Sequence, residues 1–506
     1  MNTAVLPVVP PAVSPVLILD TGEIPESSLA ELVQRCAARL DDGERLVTLF
    51  GRPDGDTESP DVVVTAVLAS AAGMEVLRAR GRHGESYPAL TVRHAAAHIH
   101  ERELWEQTGL QPFGHPWLKP VRFEGERQQR MAEYPFFKVR GQEVHEVGVG
   151  PIHAGVIEPG HFRFMCLGEK VHHLEIQLGY QHRGVEKLLL RRPSMALAPV
   201  IESICGDSCI AYTWGYLAAL EALTGTIPNM ETEILRGVAL EMERIAVHVA
   251  TLNGLATDIA FLQGTGTYGR LRTAVINASQ RISGNRFGRG WLRPWRTKGL
   301  SAALRQDLRQ TLTDFSGDLN GINDLMRSAL SVKARFRGTG IVTTQAAHDL
   351  GLVGVVGRAS GVAFDVRCQM PGRLYSSQPI AMQSEPSGDC WARMDVRMRE
   401  IDASLAWLFR VLDDESLDLR NDGAAPVLLD ANLRPNALCV SLVEGVRGPV
   451  VQVLETSPQG RLLHYKVQDP SLSNWFGLAM AVRDNEISDF PICNKSFDLS
   501  YCGNDL

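Results

Sequence analysis

Cys205-Gly206-Asp207-Ser208-Cys209 sets two thiols four residues apart, with a carboxyl and a hydroxyl between them. If this turn is already helical, both thiols share one face. A thiol at a helix N-terminus ionises readily, which suits it to bind a soft metal or act as a nucleophile. Asp207 and Ser208 are also the residue types that cap a following helix. The plainer alternative is two small buried hydrophobes, since free cysteine is among the most buried residue types. Cys493 and Cys502 form a second, wider pair. Four converging thiolates would suit nickel, iron or zinc, but no Cys-x2-Cys occurs, so spacing alone favours ordinary buried thiols. His153, Glu158 and His161 fall in GPIHAGVIEPGHFRF, where Gly and Pro shape the backbone; GYQHRGVEK adds His182, Arg183 and Glu186. Such groups either relay protons or form a structural hydrogen-bond network. Glu241, Arg244 and His248 share one face of an expected helix, with Glu243 turned to another side. Between packed helices these charges would need partners.

Six basic residues (Arg281, Arg286, Arg289, Arg293, Arg296, Lys298) interleave with Trp291 and Trp295. Basic and aromatic residues together mark either nucleic-acid binding or a protein interface. One isolated patch in a chain of formal charge -7 points to the interface. No P-loop pattern occurs, and nucleotide binding is not expected.

The elements that must position these groups fall into two parts. A chain of 506 residues exceeds one ordinary core, so two or more domains are expected. Hydrophobic residues at 44% and charged residues at 22% suit a folded globular protein. No window reaches the ~20 apolar residues that span a bilayer. The opening MNTAVLPVVPPAVSPVLILD lacks a basic start and is not expected to be a signal peptide. Nine cysteines, an odd number, fit free thiols in a reducing compartment. Spacing predicts a helix over 26–40 and short strands over 47–50, 62–68 and 74–78. Long helices follow over 211–223, 231–255, 271–282 and 304–330, then strands in LRPNALCVSLVEGVRGPVVQVLET and RLLHYKVQD. The expected fold class is therefore α+β. A small α+β domain covers 1–140, and a mainly helical domain with peripheral β structure covers 141–506.

At this point the segments carry a resemblance. GPIHAGVIEPGHFRFMCLGEKVHHLEIQLGYQHRGVEKLL resembles the entry region shared by complex I 49-kDa-type subunits and energy-converting nickel–iron hydrogenase large subunits. EPGHFR and HRGVEK are closer to the hydrogenase branch. LEMERIAVHVATLNGLATD, GLVGVVGRASGVAFDVR, GDCWARMDVRMREI, VEGVRGPV and KVQDPSLSNW continue the pattern in family order. Ahead of them, YPALTVRHAAAHIHERELWEQTGLQPFGHPWLKP resembles the 30-kDa-type subunit of complex I, so residues 85–506 are covered.

The resemblance implies a fold and a set of roles. Active nickel–iron subunits hold their metals with R-x-Cys-Gly-x-Cys near the first helix and Asp-Pro-Cys-x-x-Cys near the end. Here Cys205-Gly206 matches, Ser208 stands at the second cysteine and Ser203 at the arginine. The later motif is expected at Asp489 to Cys493, with Ser496 in place of its second cysteine. No metal and no cofactor are therefore expected in this chain, with Cys205, Cys209, Cys493 and Cys502 as the alternative ligand set for a nickel–iron centre. In complex I the homologous subunit helps form a quinone site from a loop histidine, matched by His153, and a tyrosine, which RRPSMALAPVIE lacks. By resemblance, Glu158 and His161 exchange protons, His153 and Asp207 line the cavity, and Arg358 and Asp365 hold a cofactor from its far wall. The implied function is an oxidoreductase subunit that couples iron–sulfur partners to a membrane module, with quinone at a partner interface. The implied partners are a small iron–sulfur subunit carrying the cluster and membrane-arm subunits, with no nucleic acid. The implied location is peripheral, on the cytoplasmic side of the inner membrane. The alternatives are a formate hydrogenlyase-type hydrogenase subunit with unconventional ligands, or a noncatalytic scaffold.

Overall fold

The structure is a computed structural model, and it describes residues 13–55, 60–124, 131–139, 141, 143–153, 157–294, 296–420 and 433–506. Trp295 of the basic–aromatic patch lies outside the described residues. Near the start, Arg45–Asp54, Asp61–Ser70 and Gly73–Gly81 form an antiparallel meander, with Glu26–Ser27 parallel at its edge. The Leu29–Asp41 helix packs on one face, and its start is fixed by a reciprocal capping box between Ser28 and Glu31. Eight consecutive residues of Asp61–Ser70 are buried, so that strand is covered on both faces.

The second covering layer comes from the other end of the chain. Ala437–Gly445, Gly448–Thr456 and Leu462–Gln468 form an antiparallel sheet, extended at its edge by Val16–Asp20. Phe50, Val67 and Val76 of the first sheet pack with Leu438, Val440, Val451 and Val453 of the second. Between the sheets, Glu455 accepts from Arg52 at 3.1 and 3.2 Å and from Arg78 at 3.3 Å. Three buried charges thus satisfy one another where each alone would be costly. The Cys209–Thr224 helix covers the opposite face of the second sheet. Hence Ala437–Gly445 and Gly448–Thr456 are buried at every position, where their sequence alternates over only part of its length.

The main body is helical. Met230–Asp258, Leu262–Ser283, Ala302–Ser328 and Cys390–Asp413 pack together, and Asn229 caps the first by accepting from the Thr232 N–H. Gly237 lets two of these helices approach, since a Cβ there would stand 2.7 Å from the Trp407 ring. The architecture is mixed α+β with a helical core and peripheral sheets, as the sequence predicts. A Gly-x-Gly-x-x-Gly run beginning at Gly264 lies inside the Leu262–Ser283 helix, so it forms no strand-to-helix phosphate loop. A three-stranded antiparallel sheet of Val144–Val149, His161–Leu167 and Lys170–Gln177 carries the Glu158 loop. Among the described residues, no helix is long and apolar enough to cross a membrane.

Candidate functional site

Three pieces of chain meet around Arg447. The first is the 205–208 turn, just before the Cys209–Thr224 helix. The second is the tight turn between Ala437–Gly445 and Gly448–Thr456, which carries Arg447 itself. The third is the 498–502 segment after the Phe490–Phe497 helix. The Arg447 guanidinium donates to both Asp207 oxygens at 2.9 Å, a bidentate fork that fixes orientation as well as charge. It also reaches Asp498 Oδ2 at 3.4 Å and the Asp498 carbonyl, and its Nη1 lies 3.9 Å from Cys205 Sγ. Asp498 caps the preceding helix in the left-handed conformation and accepts from Thr251 Oγ1 at 2.7 Å.

Sulfur and oxygen groups extend from this centre toward the surface. Cys205 Sγ donates to Asp207 Oδ1 at 3.2 Å and lies 3.3 Å from Ser500 Oγ, which is 3.6 Å from Cys502 Sγ. The Cys502 N–H donates to Glu158 Oε2 at 3.1 Å. A hydrogen bond between the two thiols, with burial, pushes Cys205 well above the ordinary thiol range; the same bond lowers Cys502. Burial would raise Asp207, but the Arg447 charge and hydrogen bonds win and hold its carboxyl at about 2.

The helix start differs from its expected cap. Ser208 occupies the N-cap position, yet neither it nor Asp207 accepts from the first-turn N–H groups. Glu243 does this instead, accepting from Ile210 at 2.6 Å and Ala211 at 3.2 Å. Asp207 is turned away because Arg447 holds it. Burial pushes the Glu243 carboxyl up to about 8, against the pull of those two backbone bonds.

The other expected site residues divide. His153 Nδ1 lies 3.2 Å from the Gly150 carbonyl, and its ring stands edge-on to Phe162. His161 packs on Phe136 and is lowered by burial and by Arg163. Between them, Gly160 lies against Tyr501, where a Cβ would stand 2.7 Å from the ring. His153 therefore meets, through Phe162, an aromatic layer that includes Trp475 and Tyr501, whereas His161 faces Phe136 instead. Arg358 and Asp365 lie elsewhere, fully buried in a network with Glu241, Arg244, His248, Arg367, Glu400 and Glu444. They reach the cleft only indirectly: Arg358 donates to Glu444 at 2.7 Å, on the strand that leads to Arg447.

The family model for the respiratory-chain NADH dehydrogenase 49 Kd subunit matches residues 258–419. Formate hydrogenlyase subunit 5 of Escherichia coli (strain K12) is 27% identical over 448 residues, covering 82% of this chain and 76% of that protein. The carbon monoxide-induced hydrogenase of Rhodospirillum rubrum is 28% identical over 362 residues, covering 70% and 97%. An NADH-quinone oxidoreductase subunit of Dehalococcoides mccartyi (strain ATCC BAA-2266 / KCTC 15142 / 195) is 27% identical over 361 residues, covering 70% and 96%. The chain is a homologue of the complex I 49-kDa and nickel–iron hydrogenase large-subunit family. A chain of the archaeal membrane-bound sulfane sulfur reductase complex shares the fold, with a TM-score of 0.67 at 20% identity over 72% of this chain and 99% of that one.

For the nickel–iron alternative, the donor set decides whether such a centre fits. Cys205 and Cys502 converge, but Cys209 turns its thiol to the Phe287 carbonyl. Cys493 pairs with Cys390, away from the cleft, so the segment expected to supply the second cysteine motif does not reach the site. The 498–502 segment occupies that place, with the neutral hydroxyl of Ser500 between the two thiols. Among the described residues, no group of three or more His, Cys, Asp or Glu side chains is arranged to hold a metal ion. Two thiols, a hydroxyl and a guanidinium do not fit a four-thiolate centre.

Arg447, Asp498 and Ser500 are functional candidates that sequence reasoning missed. Arg447 had a visible signal: a lone arginine in the turn of VEGVRGPV, between two apolar strands. Ser500 and Asp498 had none beyond nearness to Cys502.

Proposed function

We propose that this chain is a peripheral redox subunit of a membrane-associated complex, coupling an iron–sulfur partner subunit to a membrane module with a quinone as electron acceptor. The observation that carries this reading is the hydrogen-bonded line from Glu158 through Cys502 and Cys205, which ends at an Asp207 carboxylate held ionised by Arg447. Quinone reduction takes two electrons and two protons; an iron–sulfur partner would supply the electrons, and the Glu158 carboxyl and the Cys502 thiol would supply the protons. Glu158 is the outer member, on a loop whose Ile152 is 89% exposed, an apolar side chain suited to cover by the iron–sulfur partner. His153 flanks that entry, and the buried aromatic layer of Phe162, Trp475 and Tyr501 beside it keeps water from the line. Arg358 and Asp365 act as positioning residues through Glu444. The names of relatives support the class, since they include hydrogenase and NADH-quinone oxidoreductase subunits.

The test is turnover of the purified complex with a short-chain ubiquinone analogue and a low-potential artificial donor. Glu158→Gln is expected to slow quinone reduction by about 100-fold while leaving assembly intact. Hydrogen evolution with about one nickel per chain would replace this reading with the hydrogenase one. An assembled complex that transfers no electrons would make the chain a scaffold.

A further inference from the structure

Away from the cleft, Cys390 and Cys493 are brought together from distant parts of the chain, both fully buried. Cys390 opens the Cys390–Asp413 helix, and Cys493 lies in the Phe490–Phe497 helix. A hydrogen bond joins the two thiols. Arg393 lies beside them, with Nη2 3.4 Å from Cys390 Sγ and Nε donating to Ser496 Oγ at 2.8 Å. The space for this approach exists because residue 340 is glycine. A Cβ there would stand 2.6 Å from Cys493 Sγ and 3.4 Å from Cys390 Sγ, and the residue's φ of +66° also favours glycine. Just before it, Arg337 and Gly338 are exposed, so the pair lies directly beneath the surface.

We propose that Cys390 and Cys493 form a peroxide-responsive dithiol that closes reversibly to a disulfide, pinning the two helices that carry them. The Arg393 guanidinium beside Cys390 marks that sulfur as the attacker and leaves Cys493 as the resolving thiol. Hydrogen peroxide is the oxidant, small enough to reach a shallowly buried sulfur. The Cys390 thiolate attacks one peroxide oxygen; the S–O bond forms, the O–O bond breaks, and hydroxide leaves. The Cys493 sulfur then attacks the Cys390 sulfenic acid; the S–S bond forms, the S–O bond breaks, and the departing hydroxyl takes the Cys493 proton as water. Two electrons pass from the two sulfurs to peroxide. The crosslink lies in the helix that ends at Asp498, so it stiffens one wall of the Arg447 cleft.

The experiment treats the full chain with hydrogen peroxide, alkylates remaining thiols, and maps peptides by mass spectrometry without reduction. A Cys390–Cys493 linked peptide is expected, reversed by dithiothreitol and still formed in a Cys205→Ser/Cys502→Ser variant. In Cys493→Ser the sulfenic acid on Cys390 is expected to persist and react with dimedone. Cys390 and Cys493 both recovered as free thiols, or Cys390 overoxidised in wild type without a linked peptide, would overturn the proposal. Wild-type mapping decides it even if the serine variant fails to fold, and neither arm depends on the electron acceptor.

Discussion

Asp207 and Glu243 are two carboxyls at the start of one helix with opposite electrostatic fates, and each leaves a signature in pH. Asp207 is depressed to about 2 in the folded chain from an ordinary value of 3.8, so its charge stabilises the fold above about pH 4. That contribution is lost as pH falls from about 4 toward 2, when the proton taken up breaks the Arg447 fork. Asp207→Asn should flatten this part of the acid-unfolding curve, read by circular dichroism across that range. Glu243 works the other way. It stays protonated up to about 8 when folded, against 4.5 when unfolded, so stability falls as pH rises between those values and levels off above them. Glu243→Gln should keep the fold, because its single amide oxygen still accepts the shorter bond from the Ile210 N–H, and should abolish the decline. Thermal melts from pH 5 to 8 would show it; an unchanged slope would refute the raised value. Neither role is legible in sequence. Asp207 looks like a helix cap because Arg447 is far away in the chain, and Glu243 looks like one carboxyl among several on a long helix.

The turn that presents Arg447 depends on a close approach that only glycine allows. Gly354 has φ +61°, and a Cβ on it would stand 2.0 Å from the Arg447 carbonyl oxygen. Gly354→Ala should therefore displace the turn and cost at least about 3 kcal/mol in denaturant unfolding. The helices were legible because their periodicity is strong. The expected 231–255 and 304–330 correspond to Met230–Asp258 and to Ala302–Ser328, which breaks at Ala329 before Leu330–Phe336. Strand positions were also legible, but their burial was not. Alternation predicts one wet face, and only tertiary structure reveals that a helix and a second sheet cover both. The tail motif failed at this scale too: the sequence near Cys493 resembles a ligand segment, yet the helix it forms directs that thiol to Cys390.

At the scale of the whole molecule, the exposed Ile152 lies beside the Glu158 end of the cleft, where the proposed iron–sulfur partner would sit. Ile152→Asp should change the chain's own stability by no more than about 0.5 kcal/mol, because the side chain is already in water. It should weaken partner binding by about tenfold or more, measured by native mass spectrometry of the complex. Undiminished binding would move the interface elsewhere. The broad architecture was legible from segment order, whereas the pairing of Val16–Asp20 with Ala437–Gly445 was not, since no local pattern specifies so distant a partner. That pairing also has a meaning for synthesis on the ribosome. The 45–81 meander can close early, but its second face has no cover until the last quarter of the chain has emerged. A growing chain therefore carries an uncovered apolar sheet through most of translation, and chaperone contact during synthesis should concentrate on Phe50, Val67 and Val76.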